Sequence, residues 1–385
     1  MVAAVRAGAS LRSTADRFGV SLSTLQTWVQ RAAGKRLDRV DWTDRPRGPR
    51  HVPHRTPAEQ EDLIVDLRGF LRDTSPLGEY GAAAIFHELC NRGVADPPVP
   101  RTIHRVLERR GLLDGRRRQR RPPPPTGWYL PDVARRQTEL DSVDVVEGLV
   151  IEGGTEVQVL TAVSLHGGLV GAWPCAASIT AKITVAALLG HWREVGLPDY
   201  AQFDNDTRFQ GPRMYPDSLG RVIRLCLSLG VVPVFVPPLE MGFQAAIESF
   251  NGRWQAKVWS RFHQESLAAL QQRSVRYVAA SRERAAARID AAPRRRPIPA
   301  GWRLDWQAPL TGRVIFLRRT NGQGAVNVLG HTFAVDPRWL HRLVRAEVDL
   351  DGDAIRFYGL RRREPSQQPL LCAVEHHVPR KRFRE

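Results

Sequence analysis

Residues 114–126 read DGRRRQRRPPPPT, five arginines running into four prolines. No packed core can pass through such a run. Proline donates no backbone hydrogen bond and fixes φ, and five adjacent guanidinium groups repel one another. The chain must therefore be modular. Residues 34–57 are rich in Arg, Pro, Gly and His and read as an earlier linker. APRRRPIPAGW, at 292–302, reads as a later one, also basic and broken by proline. With 385 residues, 42% of them hydrophobic, two to four domains are expected around these breaks.

Charge follows the same divisions. Residues 1–128 carry 23 basic and 14 acidic side chains, a net of +9. Residues 129–254 carry 9 and 14, a net of −5, and residues 255–385 carry 25 and 12, a net of +13. Only four of the basic residues are lysine; the rest are arginine, whose planar fork pairs with phosphate through two hydrogen bonds. Two basic regions around an acidic centre point to a polyanion partner, with nucleic acid ahead of a membrane surface. No apolar run approaches the roughly 18 residues of a membrane span, and no signal segment is read at the N-terminus. Cys90, Cys175, Cys226 and Cys372 are scattered without a C-x-x-C, which argues against a disulfide scaffold or a structural zinc site and fits a reducing cytoplasm. His51 and His54 have ligand-like spacing but no paired cysteines, so they read as solvated loop histidines.

SLRSTADRFGVSLSTLQTWVQRAA, from residue 10, predicts a helix-turn-helix within residues 1–35. Ala15 lets the helices approach, Gly19 makes the turn, and Phe18, Val20, Leu25 and Trp28 are the expected apolar contacts. Ser23, Thr24, Gln26 and Thr27 on the second helix are the candidates for reading a DNA groove. A second helical unit, itself helix-turn-helix or winged-helix in pattern, is expected over 56–113, and the basic proline-rich connector over 114–129. From 138 to about 262, β-rich and amphipathic segments alternate, which describes an α/β sheet domain; its expected span is 130–290. From about 309 short strands with hairpin signals follow, expected as a small separate β-barrel over 305–365, then a basic tail over 366–385. DLDGDA in that region is read as a hairpin turn, because Leu360 stands where a calcium loop needs glutamate.

Within the α/β domain three acids stand where apolar packing would not choose them. Asp141 lies in the opening strand, Asp204 ends a later strand in AQFDNDTRFQG, and Glu248 lies on the helix QAAIESFN. Aspartates at such a strand end cap a turn, hold a metal ion or bind a base. Three converging carboxylates repel one another, and two divalent cations would remove that penalty. Hard oxygen ligands select Mg²⁺ or Mn²⁺. Asp144, three residues beyond Asp141, points to the opposite strand face by the period of two and is placed outside the site.

DNDTRF and ESFN resemble the second and third acid motifs of DDE transposases and retroviral-type integrases, over roughly residues 130–260. The resemblance implies a ribonuclease-H-like core in which Asp141, Asp204 and Glu248 hold two Mg²⁺ ions. It implies DNA strand cleavage and strand transfer at the ends of an insertion sequence, by a multimer on double-stranded DNA. Gln244 and Asn251, at −4 and +3 from Glu248, share its helix face; the resemblance implies that they touch DNA, with Arg253 and Lys257 offering phosphate contacts beside them. Asp206 replaces the family's glycine after Asp-Asn, as a spare ligand, a turn residue or a sign of drifted geometry. Forty-three residues separate Asp204 from Glu248, against about thirty-five in the family, with QGPRMYPDSLG accounting for the excess. The alternatives are a catalytically inactive DNA-binding regulator on the same fold, and a Mg²⁺-dependent nuclease.

Overall fold

Serine hydroxyls start both helices of the N-terminal hairpin in the computed structural model. After a short α1 (Val2–Arg6), Ser10 Oγ accepts from the Ser13 N–H at 3.1 Å and opens α2 (Leu11–Arg17). Ser21 Oγ accepts from the Thr24 N–H at 3.2 Å and opens α3 (Leu22–Ala32). Gly19 makes the turn between them at φ +62°, a conformation that glycine adopts without steric cost. Ala15 and Leu25 are buried at the crossing. Phe18 corrects the sequence reading: it is 46% exposed, with the Arg17 guanidinium 5.7 Å from its ring. The structure describes residues 1–44, 56–113, 126–176, 178–212, 214–240, 242–362, 364–379 and 383. His51, His54 and the Arg-Pro run at 114–125 lie outside the described residues. The chain divides into two compact units, 1–57 and 58–385.

In the second unit, α4 (Ala58–Thr74), α5 (Ala82–Asn91) and α6 (Pro100–Arg109) enclose their own core of Ile64, Leu67, Ile85, Leu89, Ile103 and Leu107. Glu61 is buried between Arg109 and Arg110. After α7 (Pro131–Ala134) the sheet begins with β1 (Leu140–Val150), β2 (Glu156–Ser164) and β3 (Val170–Ala176), an antiparallel meander. Helix α8 (Ala181–Val195) then crosses back to β4 (Tyr200–Phe203), which pairs in parallel with β1. One turn, α9 (Thr207–Gln210), and α10 (Arg221–Ser228) lead to β5 (Val232–Phe235), parallel to β4. Helix α11 (Ala245–Trp254) continues through a π-helical turn at Gln255–Trp259; α12 (Leu267–Arg284) and α13 (Ala286–Asp290) follow.

The sheet's two faces are covered by different helices. Val143, Leu160 and Phe203 pack towards Leu188 and Trp192 of α8 and Val222 and Ile223 of α10. Val146, Val159 and Val163 pack towards Ile247, Phe250 and Trp254 of α11 and Leu270 of α12. Trp254 is fully buried and its indole N–H donates to Ser274 Oγ at 3.2 Å. Removing a side chain of that size from a core costs about 3–5 kcal/mol, so the helix carrying Glu248 is firmly seated.

The C-terminal strands do not close a separate barrel among the described residues. β6 (Arg313–Arg319) adds in parallel to β5, with Val234 opposite Ile315 and Phe235 opposite Phe316. Beyond the small hairpin β7 (Ala325–Val328) and β8 (His331–Ala334), strands β9 (Leu343–Asp349), β10 (Ala354–Gly359) and β11 (Leu370–Glu375) extend the same sheet. One nine-stranded sheet results, in the order β11-β10-β9-β6-β5-β4-β1-β2-β3. The apolar edge of β5 is the physical reason: Phe235 and Phe316 stack at 5.2 Å, and an unpaired parallel strand of this hydrophobicity needs a cover. DLDGDA is a hairpin turn, with Asp349 Oδ1 accepting from the N–H groups of Asp351 (3.2 Å) and Gly352 (3.0 Å).

Candidate active site

Register decides which acids meet. β1 and β4 pair with Leu140 opposite Tyr200, Asp141 opposite Ala201 and Ser142 opposite Gln202. Continued by two residues, this offset of 60 sets Asp144 beside Asp204 on the same face, on strands roughly 4.8 Å apart. Along β1, Leu140 and Val146 belong to cores on one side and Val143 to the core on the other. Asp144 therefore faces the α11 layer and Asp141 the α8 layer. Strand β1 is also where antiparallel pairing on one side changes to parallel pairing on the other, the kind of switch point at which open α/β sheets leave a crevice.

Asp141 is not brought to the other two acids. It is 1% exposed and accepts Arg295 Nη1 at 2.9 Å on Oδ1, and Arg295 Nη2 at 2.6 Å and the Trp192 indole N–H at 3.0 Å on Oδ2. Burial alone would raise its pKa, but the Arg295 charge and hydrogen bonds prevail and hold it below the ordinary aspartate value. Both its oxygens are engaged, by the Arg295 ion pair and by the Trp192 indole. Arg295 comes from 292–302, read from sequence as a free linker; Arg296 of the same segment bridges to Leu197 in an antiparallel pair. That segment is packed along the sheet domain.

Asp144 lies on the other face, towards α11. Its Oδ1 accepts the Val145 N–H at 2.8 Å and its Oδ2 accepts Asn251 Nδ2 at 2.8 Å. Burial first, with the negative charges of Asp204 and Glu248 adding to it, pushes its pKa up to about 6 against those two hydrogen bonds. The charges of Asp204 and Glu248 thus both act on Asp144, after burial. Asp204 Oδ1 accepts the Asp206 N–H at 2.9 Å, a turn that ends the strand. Asp204 and Glu248 line an open cleft of 520 Å³ with Asn205, Asp206, Gln244 and the 236–240 loop.

Neighbouring positions differ from the sequence reading in instructive ways. Asn251 is 8% exposed, and its Oδ1 accepts Thr161 Oγ1 at 2.8 Å while its amide holds Asp144; it is a positioning group beneath the cleft. Gln244 lines the cleft, and its Nε2 is buried without a hydrogen-bond partner in the protein. Lys257 donates to Gly78 O at 3.0 Å, fastening the α4–α6 unit to the sheet domain. Arg253 is exposed, with Nη1 3.2 Å from Ser249 Oγ. Asp206 resolves as a cap: Oδ1 accepts the Arg208 N–H at 2.8 Å and pairs with Arg208 Nε at 2.9 Å. Asn205 Nδ2 ties the strand end to Val236 O at 2.6 Å. In the N-terminal unit Ser23, Thr24, Gln26 and Thr27 are all exposed on α3. Their three hydroxyls are engaged locally, Thr27 on Ser23 O (2.9 Å), and Thr24 (2.7 Å) and Ser23 (3.0 Å) with Ser21 Oγ.

No family model matches the chain. Solved structures similar to it include a simian T-cell lymphotropic virus intasome in complex with PP2A regulatory subunit B56 gamma. That likeness has 14% identity over 74% of this chain and 88% of that one, at a TM-score of 0.34. The HTLV-2 integrase catalytic core domain in complex with magnesium is similar at 16% identity over 35% of this chain and 82% of that one, TM-score 0.27. The catalytic core domain of BIV integrase has 16% identity over 37% and 81%, TM-score 0.26. At such scores the likeness is slight, and the site is read from its own geometry. The three acids offer hard oxygen donors only, the set that suits Mg²⁺ or Mn²⁺. Asp204 and Glu248 line one open cleft, and their charges reach the buried carboxyl of Asp144, so the chemistry of the donor set fits such an ion. No helix among the described residues is long and apolar enough to cross a membrane.

Proposed function

We propose that this protein is a DNA strand transferase of the transposase and integrase type, cleaving insertion-sequence ends and joining them to target DNA as a multimer. What carries the reading is the β1–β4 register, which continued by two residues sets Asp144 level with Asp204, together with the cleft that Asp204 and Glu248 line. Asp144, Asp204 and Glu248 would hold the divalent ions, which supply activation of an attacking oxygen and stabilisation of a leaving oxygen in phosphodiester exchange. Asn251 orients the Asp144 carboxylate from below through Thr161 and its own amide. Gln244 lines the same cleft with its Nε2 buried and unpartnered in the protein, a donor that a side-chain rotation would turn to a DNA oxygen. The exposed face of α3, with Ser23, Thr24, Gln26 and Thr27, supplies base readout, and the arginine-rich regions supply phosphate contacts. Arg253 is an exposed cation on the same helix as Glu248.

A strand-transfer assay with the native element ends and Mg²⁺ tests this. Asp144→Asn, Asp204→Asn and Glu248→Gln should each abolish joining while leaving end binding intact. Joining that survives Asp204→Asn refutes the assignment, and end binding without any joining by the unaltered chain points to the regulator reading.

A further inference from the structure

A second group of ligand-type side chains lies outside the acid cleft. Asp217, His331 and His376 come from three separate segments: the 211–220 loop, the start of β8, and the residue after β11. Asp217 Oδ2 is 3.0 Å from His331 Nε2, and Asp217 Oδ1 is 2.8 Å from His376 Nε2. The two imidazoles stand 5.1 Å apart at 66°, and Phe333 packs edge-on against His376 at 5.4 Å. One ligand atom from each residue lies within 4.8 Å of the other two. Asp217 and His376 side chains are only 11% and 13% exposed, while His331 is 39% exposed. The group is sheltered on two sides and open on the third.

From this we infer a zinc site formed by Asp217, His331 and His376, with its fourth position open to water on the His331 side. Two imidazole nitrogens and one carboxylate oxygen form a borderline set that favours Zn²⁺ over Mg²⁺. Metal–ligand bonds of about 2.0–2.1 Å require ligand atoms about 3.3 Å apart at the edges of a tetrahedron. The 3.0 and 2.8 Å contacts run to the two different oxygens of Asp217, and with one ligand atom taken from each residue the three lie within 4.8 Å of one another, so small side-chain rotations bring them to that edge. The backbone supports the placement. Asp217 holds φ +60°, an uncommon conformation for a non-glycine residue, and its N–H is fixed to Leu329 O at 2.9 Å. The 211–220 loop closes at its neck, where a Cβ on Gly211 would meet Gly220 backbone at 2.9 Å. Its tip is thus carried to the two histidines. The ion would staple the insertion that follows Asp204 and α9 to the C-terminal extension of the sheet, a purely structural role that does not depend on the proposed DNA chemistry.

Metal retention by the full chain is the test. After EDTA treatment, loading with Zn²⁺ and desalting, elemental analysis should find one ion per chain, with the melting temperature raised by several degrees. Co²⁺ loaded in place of zinc should give visible absorption bands of a low-coordinate nitrogen–oxygen site. His331→Ala and His376→Ala should each lose the ion, the bands and the thermal shift, whereas Asp204→Asn, which lies in the other cleft, should keep all three. Asp217→Asn retains an acceptor for an imidazole N–H but is a poor zinc ligand, so it too should lose the ion while still folding. No retained zinc in the unaltered chain overturns the inference, as does retention that these three substitutions leave unchanged.

Discussion

Asp141 and Asp144 stand three residues apart on one strand and face opposite layers of the protein. The first is clamped by Arg295 and Trp192 beneath α8. The second meets Asn251 beneath α11 and feels the charges of Asp204 and Glu248. The two should therefore fail in different ways when altered. Asp141→Ala leaves the Arg295 guanidinium buried and unpaired, which costs about 3–5 kcal/mol. It should be read as a loss of folded protein in a denaturant melt. Asp144→Asn should abolish strand transfer yet leave metal-free stability unchanged or higher, because it removes an ionised carboxylate that burial disfavours. A large drop in stability for Asp144→Asn would contradict this division of roles.

Asn251 acts on the acid cleft through Asp144. Asn251→Ala frees Asp144 Oδ2 and Thr161 Oγ1 together and should lower joining by about 10- to 100-fold, as second-layer supports of metal ligands commonly do. The loss should appear as a higher Mg²⁺ requirement at unchanged DNA affinity. Weakened end binding with normal Mg²⁺ dependence would instead make Asn251 a DNA contact.

Acid should loosen the α8 side of the sheet domain. His191 is buried, and burial first, with the Arg282 and Arg295 charges, lowers its pKa from 6.5 to about 4 against the pull of Asp141 and Glu194. Its folded value lies below its unfolded value. The stability it allows is complete above 6.5 and is lost as pH falls towards 4, by about 3 kcal/mol in all. Asp141 has the same sign, and its contribution goes at still lower pH, below 3.8. Melts of the unaltered chain and His191→Gln between pH 7 and pH 4 should diverge, the variant losing less. Parallel curves would rule His191 out as the source.

The 211–220 loop depends on its neck. Gly211 holds φ +101°, and an added Cβ would strike the Gly220 backbone. Gly211→Ala should cost about 2 kcal/mol or more and release the loop, seen as faster proteolysis between residues 211 and 220. An unchanged cleavage rate and melting temperature would show that the neck can relax.

The serine-capped N-terminal helices with the Gly19 turn between them and the alternating strands and helices of the sheet could be read along the chain. Each rests on local physics: turn chemistry, caps, and the 2.0 and 3.6 periodicities. Asp204 announced itself at a strand end and Glu248 on an amphipathic helix. The choice between Asp141 and Asp144 could not be made that way, because alternation says only that they face opposite sides and not which side holds the cleft. That depended on Arg295, 154 residues away in what composition presents as a linker, and on the offset of 60 between β1 and β4. The C-terminal strands likewise read as strands, but whether they curl into a barrel or extend an existing edge is settled by the apolar face that β5 leaves to be covered. Sequence fixes what each segment can form; the burial of charge and the pairing of edges, both long-range, decide where each segment goes.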